Sequence, residues 1–113
     1  MHELSLMLEL RDQALEAAAA EGASRIVAIR LRVGELAGVE IEALRGAFPV
    51  VMEGTIAAQA QLWIEREAAR CRCAGCGDDY PVSDGFCQCP RCGTLGGQLL
   101  SGRALQLVAL EVD

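Results

Sequence analysis

All six cysteines of this chain fall between Cys71 and Cys92, and the first seventy residues contain none. Two of the cysteine pairs form knuckles, Cys73-Ala-Gly-Cys76-Gly77 and Cys89-Pro-Arg-Cys92-Gly93. A C-x-x-C turn aims two thiolates at one ion, and the glycine after it permits the positive φ that such a turn needs. Two knuckles from opposite hairpins close a tetrahedral four-sulfur site, the zinc-ribbon pattern. Buried structural thiols would not need two spaced pairs with trailing glycines, and a redox C-x-x-C needs only one pair. A module of about 30 residues is too small to fold on its own core. Structural zinc contributes ~10–16 kcal/mol at neutral pH, which makes up the difference. Cys73, Cys76, Cys89 and Cys92 are therefore the expected zinc ligands. Four thiolates leave no open position, so that zinc is expected to be structural. Tyr80, Pro81, Val82 and Phe86 are expected to form a small apolar cover. Cys71 and Cys87 each lie two residues before a knuckle; they could substitute as ligands or pair with each other. The expectation is that they are ordinary small residues flanking the site, because disulfides are disfavoured in the cytosol.

Composition narrows the function. The chain has 113 residues, is 52% hydrophobic and carries a formal charge of −6, a globular composition that an acidic surface makes unsuited to nucleic acid. Its ten basic residues are all Arg, and it has a single His. Without Lys there is no P-loop lysine, Schiff base or Lys general base, so an enzyme is not expected. The opening residues contain an acid and no basic region of a secretory signal, and no apolar run reaches membrane-span length. A cytoplasmic chain, not associated with membranes, is expected. Arg70, Arg72, Arg91 and Arg103 cluster on the ribbon and could dock an acidic protein, the basis of an alternative reading as a zinc-ribbon adaptor.

Hydrophobic periodicity supplies the frame. Residues 4–21 read as a helix, with Glu9, Asp12, Gln13 and Glu16 on one stripe and Leu4, Met7, Leu8, Ala14, Leu15 and Ala18 mostly on another. Arg25 to Val33 alternates as a half-buried strand, with Val27, Ile29, Leu31 and Val33 on one face. Gly34 and Gly38 bracket a loop. Glu40 to Met52 has helical spacing, with Pro49 expected to kink or shorten it. Leu62 to Glu67 alternates again. The tail, Ala104 to Val112, is apolar on both faces, the mark of a strand covered on both sides. The order is helix, strand, helix, strand, cysteine module, strand. The last strand is expected to return to the first sheet, which makes the module an insertion.

The only imidazole, His2, follows the initiator methionine, which its large side chain should protect from excision. The Met1 amine, the His2 backbone nitrogen and imidazole, and the Glu3 amide nitrogen can form a planar four-nitrogen set. Ni(II) favours that geometry, whereas Zn(II) prefers a tetrahedron. In isolation Met-His-Glu specifies little, since a terminal His is ordinarily solvated.

Met1-His2-Glu3-Leu4, then Arg32-Val33-Gly34-Glu35-Leu36 after the first strand, then a double-knuckle ribbon before a final apolar strand, resemble the HypA/HybF family of hydrogenase maturation nickel chaperones. The resemblance covers the whole chain in order. It implies an α+β fold: a small nickel domain of two helices on a three-stranded sheet, residues 1–69 plus 101–113, with a zinc ribbon, 70–100, inserted. It implies nickel at His2 and Glu3, zinc on the four knuckle cysteines, and two partners, a hydrogenase-maturation GTPase and the hydrogenase large subunit.

Overall fold

The computed structural model describes residues 2–82 and 86–113. Its elements are α1 (His2–Ala20), β1 (Ile26–Gly34), α2 (Ile41–Met52), β2 (Gln61–Glu67), β3 (Arg70–Cys73), β4 (Asp79–Pro81), β5 (Gly97–Ser101) and β6 (Leu105–Val112). They form two three-stranded sheets, ordered β2-β1-β6 and β4-β3-β5. The chain divides into two compact units: Met1–Arg32, Val39–Glu65 and Gln106–Asp113 in one, Val33–Gly38 and Arg66–Leu105 in the other.

In the first unit α1 packs on α2. The buried residues of α1 are Met7, Leu10, Ala14 and Ala18, a 3-4-4 stripe that follows one face of a 3.6-residue helix. Leu8, expected on the core stripe, is exposed, and Leu10 takes the inward place. Helix α2 buries Ile41, Leu44, Phe48, Val51 and Met52. Each large side chain withdrawn from water contributes about 1.5–3 kcal/mol. Pro49 does not shorten α2, which continues to Met52. The proline costs the helix one N–H donor, but it sits in the last turn, where few later bonds depend on it. The end is then closed by Thr55, whose hydroxyl and N–H both donate to the Met52 carbonyl (2.7 and 3.1 Å).

Strand β1 is central. It runs parallel to β2: Ile26 N–H donates to Ile56 O at one end, and Arg32 Nε bonds Glu65 Oε1 at 2.5 Å near the other. A parallel pair needs a crossover, and α2 supplies it. With β6 it is antiparallel, as Ser24 N–H donates to Asp113 O and Gly34 N–H to Ala104 O, both at 2.9 Å. The last strand thus returns to the first sheet. It lies at the edge, however, and alternates between half-buried and exposed residues, so its apolar character does not mean cover on both faces. Apolar edge residues that no second layer meets keep part of their surface in water.

In the second unit β3 pairs antiparallel with β4 (Cys71 opposite Tyr80) and with β5 (Cys71 opposite Leu99). Ala69, Cys71, Cys73, Tyr80, Val82 and Cys89 form its core, with Leu36, Cys87 and Leu99 packed against them. The loop expected between Gly34 and Gly38 is a strap of this unit. Glu35 Oε1 accepts the Ala69 N–H (2.8 Å), and Leu36 N–H donates to Gly102 O (2.7 Å). A Cβ on Gly34 would lie 2.2 Å from the Gly102 backbone. Glu67 Oε1 accepts the Gly102 N–H (2.9 Å). Among the described residues, no helix is long and apolar enough to cross a membrane.

Candidate metal centre

The two knuckles are built alike. In the first, Gly77 N–H donates to Cys73 O (3.1 Å) and Cys73 N–H to Asp78 O (2.8 Å). In the second, Gly93 N–H donates to Cys89 O (2.9 Å) and Cys89 N–H to Thr94 O (3.1 Å). Gly77 and Gly93 have φ of 77° and 75°, the left-handed turn that the trailing glycine was needed for. The repeat extends outward. Cys71 stands opposite Tyr80, nine residues on, and Cys87 accepts from Gly96 N–H (2.7 Å) at the same offset.

These turns bring the sulfurs of Cys73, Cys76, Cys89 and Cys92 within 4.8 Å of one another. Cys73 and Cys92 Sγ are 3.5 Å apart, and Cys76 and Cys89 Sγ 3.7 Å. Cys73 and Cys89 are buried, Cys76 and Cys92 exposed. Backbone N–H groups already point at sulfur: Cys76 and Gly75 both donate to Cys73 Sγ (3.4 and 3.3 Å). The Cys76 N–H is the main reason the Cys73 thiol is lowered to about 6. The Thr94 hydroxyl, 3.1 Å from Cys92 Sγ, lowers that thiol too. Cys76 is pushed up to about 11: the Asp78 N–H opposes the rise, but partial loss of hydration at the sulfur and the neighbouring sulfurs of Cys73, Cys89 and Cys92 outweigh it. Four sulfurs at this spacing, one held as thiolate near neutrality, fit a soft tetrahedral ion with no open position. In the sequence Thr94 is marked by nothing more than a hydroxyl residue two places after Cys92.

Around this cage three expectations change. Phe86 is 71% exposed and not part of the apolar cover; Tyr80 and Val82 are, and Pro81 is exposed. Cys71 and Cys87 are not bystanders: they are joined as a disulfide, with Cα atoms 5.9 Å apart. The matching offsets of the two hairpins put them at equivalent places, one beside the other. Nor do the ribbon arginines form a free basic patch. Arg72 binds Asp79 (2.9 Å) and Arg91 binds Asp78 (2.6 Å), so two of the four charges are neutralised at home.

At the amino terminus Met1 lies outside the described residues. His2 is exposed on the first turn of α1. Glu3 Oε2 accepts the N–H of Glu40, the residue capping α2, at 3.2 Å. That bond, with the N–H of Glu3 itself, holds the Glu3 carboxyl below the usual carboxylate range. Of the two further carboxylates near the sequence motifs, Glu35 is committed to Ala69, and Glu40 meets Glu3 through its backbone.

Fold and site together define a small α+β protein whose ribbon gathers four cysteines into a cage that could hold a metal ion. The chain belongs to the HypA family, described as hydrogenase/urease nickel incorporation, metallochaperone, which matches residues 1–112. It is thus a member of the nickel metallochaperones of hydrogenase maturation. Hydrogenase maturation factor HypA of Picosynechococcus sp. is 42% identical over 112 residues, covering 99% of both chains. The factor of the same name from Synechococcus elongatus is 47% identical with the same coverage. The solution structure of the Ni metallochaperone HypA from Helicobacter pylori superposes with a TM-score of 0.71 at 20% identity, over 97% of this chain and 96% of that one. A second HypA solution structure gives 0.76 at 23% identity, over 100% and 97%. At those identities the likeness is one of fold.

Proposed function

We propose that this chain carries Ni(II) at its amino terminus and hands it on for [NiFe]-hydrogenase maturation, while its ribbon holds a structural Zn(II). The nickel ligands are the Met1 amine, the His2 backbone nitrogen and imidazole, and the Glu3 backbone nitrogen. The observation that carries this is the Glu3–Glu40 contact. The Glu40 N–H ties Oε2 of the Glu3 carboxylate to the start of α2, and the planar set takes the Glu3 backbone nitrogen. The helix begins at His2, and the first N–H groups of a helix have no helical partner, so these amides give up no helical bond on binding. Zinc takes Cys73, Cys76, Cys89 and Cys92, whose spacing and soft donors suit it. Residues 1–69 and 101–113 act as the nickel-handling part and 70–100 as the zinc ribbon. The partners are a GTPase of the same maturation route and the hydrogenase large subunit, met in the cytoplasm. Delivery needs an exchangeable site, which a solvent-facing terminus provides and a closed four-thiolate cage does not.

Ni(II) titration of zinc-loaded protein with a native amino terminus tests this. Binding at low micromolar or tighter concentration is expected, weakening as pH falls because two amide nitrogens must lose protons. A short extension before Met1, or His2→Ala, should abolish it and leave zinc untouched. Unchanged affinity and absorption spectrum in the extended chain would replace the amine with a side-chain site. For the ribbon, Cys89→Ser should lose zinc; full retention with an ordered ribbon would overturn the ligand set.

A further inference from the structure

Two cysteines of the ribbon are left over from the metal cage, and they face each other. Cys71 is fully buried on β3; Cys87 is half-buried at the equivalent place in the second hairpin. Both sulfurs belong to the small core formed with Ala69, Tyr80, Val82 and Leu99. Each sits two residues before the first ligand of a knuckle, so a bond between them ties the two halves of the cage at their roots. We propose that Cys71 and Cys87 are a redox-reversible staple, closed by exchange with a low-molecular-weight disulfide and reopened by thiols, that keeps the cage assembled when zinc leaves. The inference rests on the reading of the four knuckle cysteines as a zinc site.

The chemistry follows from burial. The more accessible thiol, Cys87, attacks the small disulfide RS–SR as thiolate. A Cys87–S–SR bond forms, the S–S bond of the reagent breaks, and one RSH leaves carrying the proton. Cys71, already beside it, attacks Cys87 Sγ and expels the second RSH. Two protein thiols are oxidised, one reagent disulfide is reduced to two thiols, and no other oxidant is needed. The four knuckle sulfurs are protected meanwhile by the metal they share. The staple joins residues 16 apart in sequence and closes a loop that contains the first knuckle. A cross-link over a loop of that length favours the folded form by about a hundredfold, through the entropy removed from the open chain. The binding energy of a structural zinc is largely folding energy, so the gain reappears as zinc affinity.

The test uses the full chain, zinc-loaded, treated with oxidised glutathione or with a reductant. Differential alkylation and peptide mapping read the pairing, metal analysis reads zinc, and competition with a chromophoric chelator reads affinity. The expected result is one Cys71–Cys87 bridge, zinc retained, and affinity about a hundredfold higher in the oxidised chain than in the reduced one. Cys87→Ser should bind zinc as the reduced chain does and ignore glutathione. Bridges to Cys73, Cys76, Cys89 or Cys92 with loss of zinc would overturn the staple, as would equal affinity in the two forms. If neither form bound zinc, the zinc reading would fall, and the peptide map would still decide the pairing.

Discussion

At the scale of single residues, the Arg32-Val33-Gly34-Glu35-Leu36 segment shows how much one position can fix. Gly34 and Gly102 pass so closely that a methyl group has no place, with the nearest backbone atoms at 2.2 Å from where a Cβ would stand. Gly34→Ala should therefore cost about 3 kcal/mol, the upper range of overpacking, because backbone rather than a flexible side chain must yield. A fall in the unfolding midpoint at unchanged m-value measures it. Glu3 makes a different kind of statement. Its carboxyl is held below the ordinary value of 4.5 chiefly by the Glu40 N–H, so the folded state favours the charged form. The contribution is complete above the unfolded value and is lost as pH falls through the lower folded one. An acid titration followed at the Glu40 amide should report that loss, and Glu3→Gln should flatten it without disturbing α1 elsewhere.

The elements show where local rules yield to packing. Helix α2 keeps a proline three residues before its end, which costs it the bond from residue 49 to the Arg45 carbonyl. The apolar positions Ile41, Leu44, Phe48, Val51 and Met52 hold the helix together across it, since two of the five lie after Pro49. Pro49 is exposed, so Pro49→Ala should restore the bond without opening a cavity and stabilise the chain by about 1–3 kcal/mol. Thermal unfolding of the variant decides this, and an unchanged or lower midpoint would mean that the proline stiffens the unfolded chain by as much as it costs the helix. The knuckle hairpins obey the opposite logic. Their turns are specified residue by residue, and the same hydrogen-bond pattern appears twice. A feature added to one hairpin then has a counterpart in the other, which is why Cys71 meets Cys87.

At the scale of the whole molecule, the two compact units rest on different forces. Both helices and the β2-β1-β6 sheet rest on buried Met7, Ile29, Leu31, Leu44 and Phe48. The second unit has a core of only a few side chains, three of them cysteines and one, Tyr80, large. Chelating the metal from the reduced protein should then melt the second unit alone. The helical far-UV circular dichroism should persist while amide protection is lost over residues 66–105. Collapse of the helical signal on chelation would show that the first unit depends on the second.

The sequence by itself determined the two helices, the three strands of the first sheet, their order around the cysteine module and the four sulfurs of the cage. Each of these is written in a local period or a short spacing: 3.6 for Met7, Ala14 and Ala18, two for the strands, and C-x-x-C-G for the knuckles, whereas packing chose Leu10 over Leu8. The family pattern was legible for the same reason, since its motifs are short and keep their order along the chain. Only the tertiary structure decided the rest. It put β6 at a sheet edge, turned the Gly34–Gly38 loop into a strap held by Glu35, took Phe86 out of the apolar cover, paired Arg72 and Arg91 with Asp79 and Asp78, and joined Cys71 to Cys87. Those outcomes depend on which distant segments come side by side. Residue periodicity encodes the face a side chain turns to, but not what waits there to meet it.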